Sequence, residues 1–227
     1  MTDGQRRQVV VFGVSNMLDD VFDCILALGH RVARVVTNHP ETLRPRTRGA
    51  ADRIARLPEP PDLLALDDYR PQPGEMHVLG TTSPARESLV ELLAGRHGIL
   101  LATLVHPAAY VSPLARLGAG GFVGAGSVVA PGCEIGPHVF VNRAASIGHD
   151  CTVEAYARIQ PGCHIGGHVR IGRGAEIGIG ACIVQERHIG AGARVAAGAV
   201  VARDVAAGES VAGAPARRTL RMRGDAS

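Results

Sequence analysis

Imidazole is the main reactive group this chain offers. Six histidines, His106, His138, His149, His164, His168 and His188, fall in its second half. An imidazole with an ordinary pKa of about 6.5 can act as a general base near neutral pH or as a metal ligand. Their spacing alone singles out none of them as catalytic. Five cysteines (Cys24, Cys133, Cys151, Cys163, Cys182) form no CxxC pair, and an odd count without a secretion signal reads as reduced, buried small residues. All 24 basic residues are arginine. With no lysine, Schiff-base chemistry, pyridoxal phosphate attachment and a Walker-A phosphate loop are excluded. Near the N-terminus, Gly13-Val14-Ser15-Asn16 follows an apolar stretch and could turn a helix N-terminus toward an anion. A full GxGxxG is absent, and a plain scaffold turn fits these residues equally well.

The elements that must position these groups are written in a repeat of six. From Val105 to Val201 every sixth residue is aliphatic, without a gap. Four residues after each member stands a small residue or valine, as at Ala109, Cys133, Val139 and Cys151, with Arg187 the one departure. Glycine often follows the aliphatic residue, as at Gly118, Gly148, Gly166 and Gly178. This pattern predicts a parallel β-helix of triangular section. Each hexapeptide makes one flat face and a corner, and three make a coil of 18 residues. One large and one small group per face point inward. Residues 18 apart then stack at the ordinary strand spacing of about 4.8 Å, so Cys133 and Cys151 read as core filler with all the cysteines facing inward. The six histidines avoid the aliphatic slots and are expected outside or at corners.

The N-terminal third has a different rhythm. Residues 8–12 read as a buried strand, 17–28 as a helix stopped by Gly29, 31–37 as a second strand and 76–82 as a third. Residues 83–94 then read as a helix and 99–104 as a fourth strand. Residues 38–74, rich in proline and arginine, read mostly as loop, including the Arg44 to Arg48 cluster as a solvated stretch. Alternating strands and helices imply a small Rossmann-like parallel α/β sheet. Ligands bind such sheets at the carboxyl ends of the strands, here Gly13, Ser15, Asn16, Met17, Thr37 and Asn38. The net charge of +3 is spread along the chain, so nucleic acid is not an expected partner. No signal-peptide core follows the first residues and no apolar run reaches spanning length, so a cytoplasmic protein with no membrane partner is expected.

The segment from Val141 to Cys151, VNRAASIGHDC, closely resembles the VN-x-x-A-x-IGHD motif of a bacterial acetyltransferase family. Its members carry an N-terminal nucleotide-sugar-binding α/β domain and a C-terminal left-handed β-helix. They include sialic acid O-acetyltransferase-like proteins and N-acetyltransferases acting on UDP-4-amino sugars. The ending Gly213-Ala214-Pro215-Ala216-Arg217 resembles the G-x-PA-[KR] close of these CoA-dependent enzymes. The resemblance implies His149 as general base, Asp150 as the carboxylate that orients it, and Asn142 as part of the same site. Gly167, one coil after His149, would let a backbone N–H reach the thioester carbonyl. By family position Arg158, Ile179 and Ala197 would line the acetyl-CoA arm, although many relatives have histidine where this chain has Arg158. Ser15-Asn16-Met17 and Thr37-Asn38 depart from the family's usual nucleotide-binding turns, so the donor half looks intact and the acceptor half diverged.

The expected protein therefore has an α/β Rossmann-like domain at 1–103, putatively for sugar-nucleotide binding. An all-β left-handed parallel β-helix acyltransferase domain follows at 104–216, with a basic tail at 217–227. It would acetylate an amino or hydroxyl group of a sugar, probably nucleotide-linked, by direct transfer from acetyl-CoA, as a homotrimer and without a metal. The rival readings are a non-catalytic β-helix that binds a sugar nucleotide or acts as a scaffold, and a zinc lyase. The β-helix carbonic anhydrases use two histidines five apart and a third two coils earlier. No histidine pair here has either spacing.

Overall fold

In the computed structural model, which describes residues 6–37, 49–83 and 85–219, each aliphatic member of the hexad series ends a two-residue strand. From Val123 onward every one of them is at most 6% exposed. The small residues four positions later, such as Cys133, Ala145, Cys151, Cys163 and Ala181, are sealed in beside them. Strands 18 residues apart pair in parallel, Ser146 with His164 and Ile147 with Ile165, and this register repeats coil after coil. Three faces result. The first stacks Tyr110–Val111, Val128–Val129, Ser146–Ile147, His164–Ile165, Cys182–Ile183 and Val200–Val201. The second runs from Arg116–Leu117 to His188–Ile189, and the third from Phe122–Val123 through Arg158–Ile159 and Glu176–Ile177 to Ser210–Ala212.

The glycine after each aliphatic residue answers to space. A Cβ at Gly118, Gly148, Gly166, Gly172, Gly178 or Gly190 would lie 2.4 to 2.7 Å from the backbone of the next coil, closer than real side chains come. The last coil is two residues shorter: Arg194 pairs with Ser210 and Val195 with Val211, 16 apart. Arg217–Arg218, expected as the start of a tail, instead turns back as an antiparallel strand on Val211 and Ala212. Cys182 corrects the expectation for the cysteines. It occupies an outward slot and is partly exposed, whereas the other four are buried. Arg187 takes a small-residue slot, but its guanidinium swings out toward Asp204, 3.7 Å away.

The chain divides into two compact units, Met1–Pro107 and Ala108–Ser227. The first contains β1 (Gln8–Phe12), α1 (Leu18–Ala27), β2 (Arg31–Thr37), α2 (Ala50–Ile54), β3 (Asp62–Ala65), β4 (Met76–Leu79) and α3 (Arg86–His97). Its four strands lie in the order β3-β2-β1-β4, all parallel. The all-apolar β1 is buried from Val9 to Phe12, as a central parallel strand covered on both sides must be. Val10 and Phe12 join Leu89 and Leu93 of α3 in one core cluster, and α1 buries Leu18, Val21, Phe22, Cys24 and Ile25. Two expectations fail here. The segment read as loop contains α2 and the edge strand β3. The apolar run 99–104 adds no strand to this sheet; Ile99 and Leu101 pack into the core as irregular chain, and only Leu104–Val105 is extended.

Candidate active site

The coil geometry builds one corner in particular. After the strand Ser146–Ile147, Gly148 brings the backbone against Gly166 and Gly167 of the next coil. His149 therefore stands at the edge between the first and second faces, with Gly167 stacked beside it. Asp150 follows in a left-handed conformation (φ 56°), its N–H held by Pro131 O at 3.0 Å. That backbone places the carboxylate alongside the ring, and Asp150 Oδ2 lies 2.8 Å from His149 Nδ1. Gly132, one coil earlier, leaves room for it: a Cβ there would sit 2.2 Å from Asp150 Oδ1. An ionised carboxylate only accepts hydrogen bonds, so Nδ1 carries the imidazole proton and Nε2 keeps a bare lone pair. Both side chains are more than half exposed.

Gly167 meets that ring directly. A Cβ on it would lie 2.7 Å from His149 Nε2 and 2.9 Å from Cε1. Only a residue without a side chain lets the imidazole rest there. Its carbonyl accepts from Glu186 N at 2.9 Å, but its N–H has no hydrogen-bond partner among the described residues. The reason is general to the coil. The second residue after the aliphatic one does not donate to coil stacking, and several corners place proline there, as at Pro131, Pro137 and Pro161. Where the residue is glycine, a free donor remains at the corner.

His168 completes the corner and was not among the expected site residues. Its ring packs edge-on against His149 with centroids 4.8 Å apart, and its Nε2 lies 4.0 Å from Asp150 Oδ2. It too is left-handed (φ 58°), at the position where most corners carry glycine. That misplaced non-glycine is the sequence signal that could have flagged it.

The other expected residues lie elsewhere. Asn142 is buried at a different corner of the same coil, part of the prism wall. Its Oδ1 accepts from Arg143 N at 2.8 Å and its carbonyl from Ser127 Oγ at 2.7 Å. Ile179 and Ala197 stack 18 residues apart on the edge between the third and first faces, and Ile179 is 60% exposed. Arg158 is paired with Glu176 at 2.7 Å on the outside of the third face. One chain thus brings His149, Asp150 and Gly167 together but not Ile179, Ala197, Arg158 or Asn142 with them. In the first unit, Gly13 turns left-handed (φ 80°) against Thr81. Ser15 Oγ donates to Gly80 O at 3.0 Å and accepts from Met17 N at 3.2 Å. Asn16 is exposed, and Thr37 Oγ1 donates to Leu64 O at 3.3 Å. These residues gather at the carboxyl ends of β1 and β2, while Asn38 and the Arg44 to Arg48 cluster lie outside the described residues. The buried thiols are poor nucleophiles. Hydrogen bonding with Cys133, then burial, pushes Cys151 up, and burial pushes Cys163 up to about 11.

Comparison with known proteins agrees with this geometry. A family model described as bacterial transferase hexapeptide (six repeats) matches residues 144–178, which include His149, Asp150 and Gly167. The acetyltransferase domain of PglB from Neisseria gonorrhoeae is 31% identical over 94% of this chain and 100% of its own, with a TM-score of 0.80. The chain belongs to the bacterial hexapeptide-repeat sugar acetyltransferases. The PglB domain has also been solved with acetyl coenzyme A. A variant of perosamine N-acetyltransferase from Caulobacter crescentus, in complex with CoA and GDP-perosamine, is 28% identical over 96% of this chain and 97% of its own, with a TM-score of 0.80. WeeI from Acinetobacter baumannii, at 23% identity, shares the fold. Among curated proteins none matches. Membership makes the protein an acetyl-CoA-dependent sugar acetyltransferase, and its Rossmann-like unit followed by a left-handed β-helix is the fold class expected from the sequence. Among the described residues, no helix of this acetyltransferase is long and apolar enough to cross a membrane.

Proposed function

We propose that the acetyltransferase moves the acetyl group of acetyl-CoA directly onto the amino group of a nucleotide-linked amino sugar, with His149 as general base. The observation that carries this reading is the His149–Asp150 pair resting on Gly167. Nε2 removes a proton from the acceptor amine as its nitrogen attacks the thioester carbon. The C–N bond forms, the C–S bond breaks, and the proton on Nε2 passes to the departing thiolate. Asp150 keeps the ring in the tautomer that can accept, and steadies the imidazolium while it lasts. The free N–H of Gly167 stabilises the negative charge developing on the carbonyl oxygen. The complexes of the Caulobacter enzyme with CoA and GDP-perosamine favour nitrogen over oxygen as the acceptor, and a nucleotide as its handle. The sugar nucleotide would be held by the first unit, at residues 1–103, through Gly13, Ser15, Asn16, Met17, Thr37 and Asn38.

The site takes two copies of the chain in this reading. The outward side chains of the first face, Tyr110, Val128, Ser146, His164, Cys182 and Val200, include no carboxylate or arginine. The other two faces carry Arg116, Glu134, Arg158, Arg170, Glu176 and Arg194. That uncharged face is bordered on one edge by His149 and Gly167 and on the other by Ile179 and Ala197. Three chains packed through it around a threefold axis would bring the base edge of one against the CoA edge of the next, giving three sites. Arg158 and Asn142 support the walls of that groove. A non-catalytic binding protein would have no use for an oriented imidazole beside a free amide.

A screen of amino-sugar nucleotides with acetyl-CoA, reading released thiol, tests the proposal. One of them should turn over, and His149→Ala should lower its kcat/KM by about 10²- to 10⁴-fold while the protein stays folded. Near-normal turnover by His149→Ala would refute the base assignment.

A further inference from the structure

We infer that the corner formed by His149, Asp150 and His168 is also a binding site for a divalent transition metal ion of the zinc or cobalt kind, and that the bound ion switches the base off. The second half of this inference rests on the acetyl-transfer reading; the first does not. One donor atom from each of the three residues lies within 4.8 Å of the others. Asp150 Oδ2 stands between two imidazoles, 2.8 Å from His149 Nδ1 and 4.0 Å from His168 Nε2. Two imidazole nitrogens and one carboxylate oxygen form a donor set that suits a borderline ion rather than magnesium or calcium. A tetrahedral ion bound at about 2.0–2.1 Å wants its donors a little over 3 Å apart. All three side chains are more than half exposed, so small rotations bring them to that spacing without moving the coil. The backbone already favours the arrangement, because Asp150 and His168 hold left-handed conformations at a position where Gly132, Gly162, Gly174 and Gly180 stand elsewhere. Both side chains are thereby projected at one corner of two successive coils.

The consequence for transfer follows from the tautomer. With Asp150 as its partner, His149 carries its proton on Nδ1 and presents a bare Nε2. An ion on Nδ1 takes that lone pair, so a neutral ring must carry its proton on Nε2 and can no longer accept one. The same ion draws Asp150 away from its orienting role. Metal binding and proton removal therefore exclude each other.

Cobalt(II) is the probe, because its visible absorption reports coordination without any turnover. The full-length protein, titrated with cobalt chloride, should bind one ion per chain with a Kd in the micromolar range, and zinc should displace it. His168→Gly, which installs the residue most corners already carry, should weaken cobalt binding by about tenfold or more. It should also make transfer less sensitive to zinc by a similar factor, each protein being compared with its own metal-free rate. Zinc inhibition of the unaltered protein should be reversed by a chelator. No cobalt absorption with the unaltered protein, or equal cobalt affinity in His168→Gly, would overturn the site. Cobalt binding as expected but with full transfer in saturating zinc would overturn the switch. Because cobalt uptake is read without substrate, a failure of the base assignment leaves that result intact.

Discussion

Gly167→Ala is the most discriminating single substitution, because the added methyl meets the proposed base and little else. The new Cβ would lie 2.7 Å from His149 Nε2, 2.9 Å from Cε1 and 3.1 Å from Cδ2. An ordinary contact needs about 3.4 Å or more, so the ring must retreat by roughly 0.7 Å from its place over the backbone amide. A misplacement near 1 Å costs about 10²-fold in rate, equivalent to about 2.7 kcal/mol of transition-state stabilisation. The fold should hardly respond. The ring is 61% exposed and free to swing outward, and Gly167 is not among the positive-φ glycines. Its Tm should therefore move by less than about 2 °C. Gly148→Ala is the control: its Cβ would sit 2.7 Å from the backbone of Gly166 and Gly167, which cannot yield, so stability should fall with activity. The assay is kcat/KM by thiol release beside a thermal melt for each protein. Gly167→Ala with full activity, or with a loss of stability matching that of Gly148→Ala, would refute the claim that this glycine serves the imidazole.

Asp150→Asn keeps the shape but lets an amide donate to Nδ1, which leaves the proton on Nε2; kcat/KM should drop about 10²-fold or more, and an unchanged rate would show that the carboxylate does not set the tautomer. Val128→Glu puts three like charges on the face assigned to the threefold axis; light scattering should find monomers without turnover, whereas an active, monomeric unaltered protein would defeat the shared site. In the first unit, burial and then the Arg34 guanidinium push the His77 pKa below 6.5. The surrounding groups are Arg34, Glu75, Tyr69 and His97, and the Glu75 charge is already met by Arg34. The unfolded chain protonates first as pH falls, so stability held above pH 6.5 should be lost progressively below it. Hydrogen exchange at the β1 and β4 amides should report this, and His77→Gln should flatten the dependence.

The prism was legible residue by residue because its constraint is local and strict. Each sixth residue must be aliphatic to fill a narrow core, so Val105 to Val201 announce seventeen strands that are each too short to be read singly. The corner of His149, Asp150 and Gly167 followed from adding 18 to a residue number. His168 escaped because it adds no ligand spacing along the sequence; its meaning lies in a backbone position, visible only once the corners are aligned. In the first unit, β3 was missed because Asp62, Leu63 and Ala65 are exposed on an edge strand, which leaves no hydrophobic alternation to read. The run 99–104 misled in the opposite way, since Ile99 and Leu101 are buried without pairing into the sheet, and apolar composition alone does not distinguish the two. Cys182 belongs to the strand position just before an aliphatic residue, which points outward whatever the residue type.

The central claim is that the His149–Asp150 pair and the Gly167 amide face one thioester. A crystal structure of the protein with a non-hydrolysable acetyl-CoA analogue measures this directly. The account predicts the carbonyl oxygen within about 3 Å of Gly167 N, with His149 Nε2 turned toward the acceptor side of the carbonyl carbon. A pantetheine arm running along another edge of the prism, with its carbonyl out of reach of that amide, would contradict it.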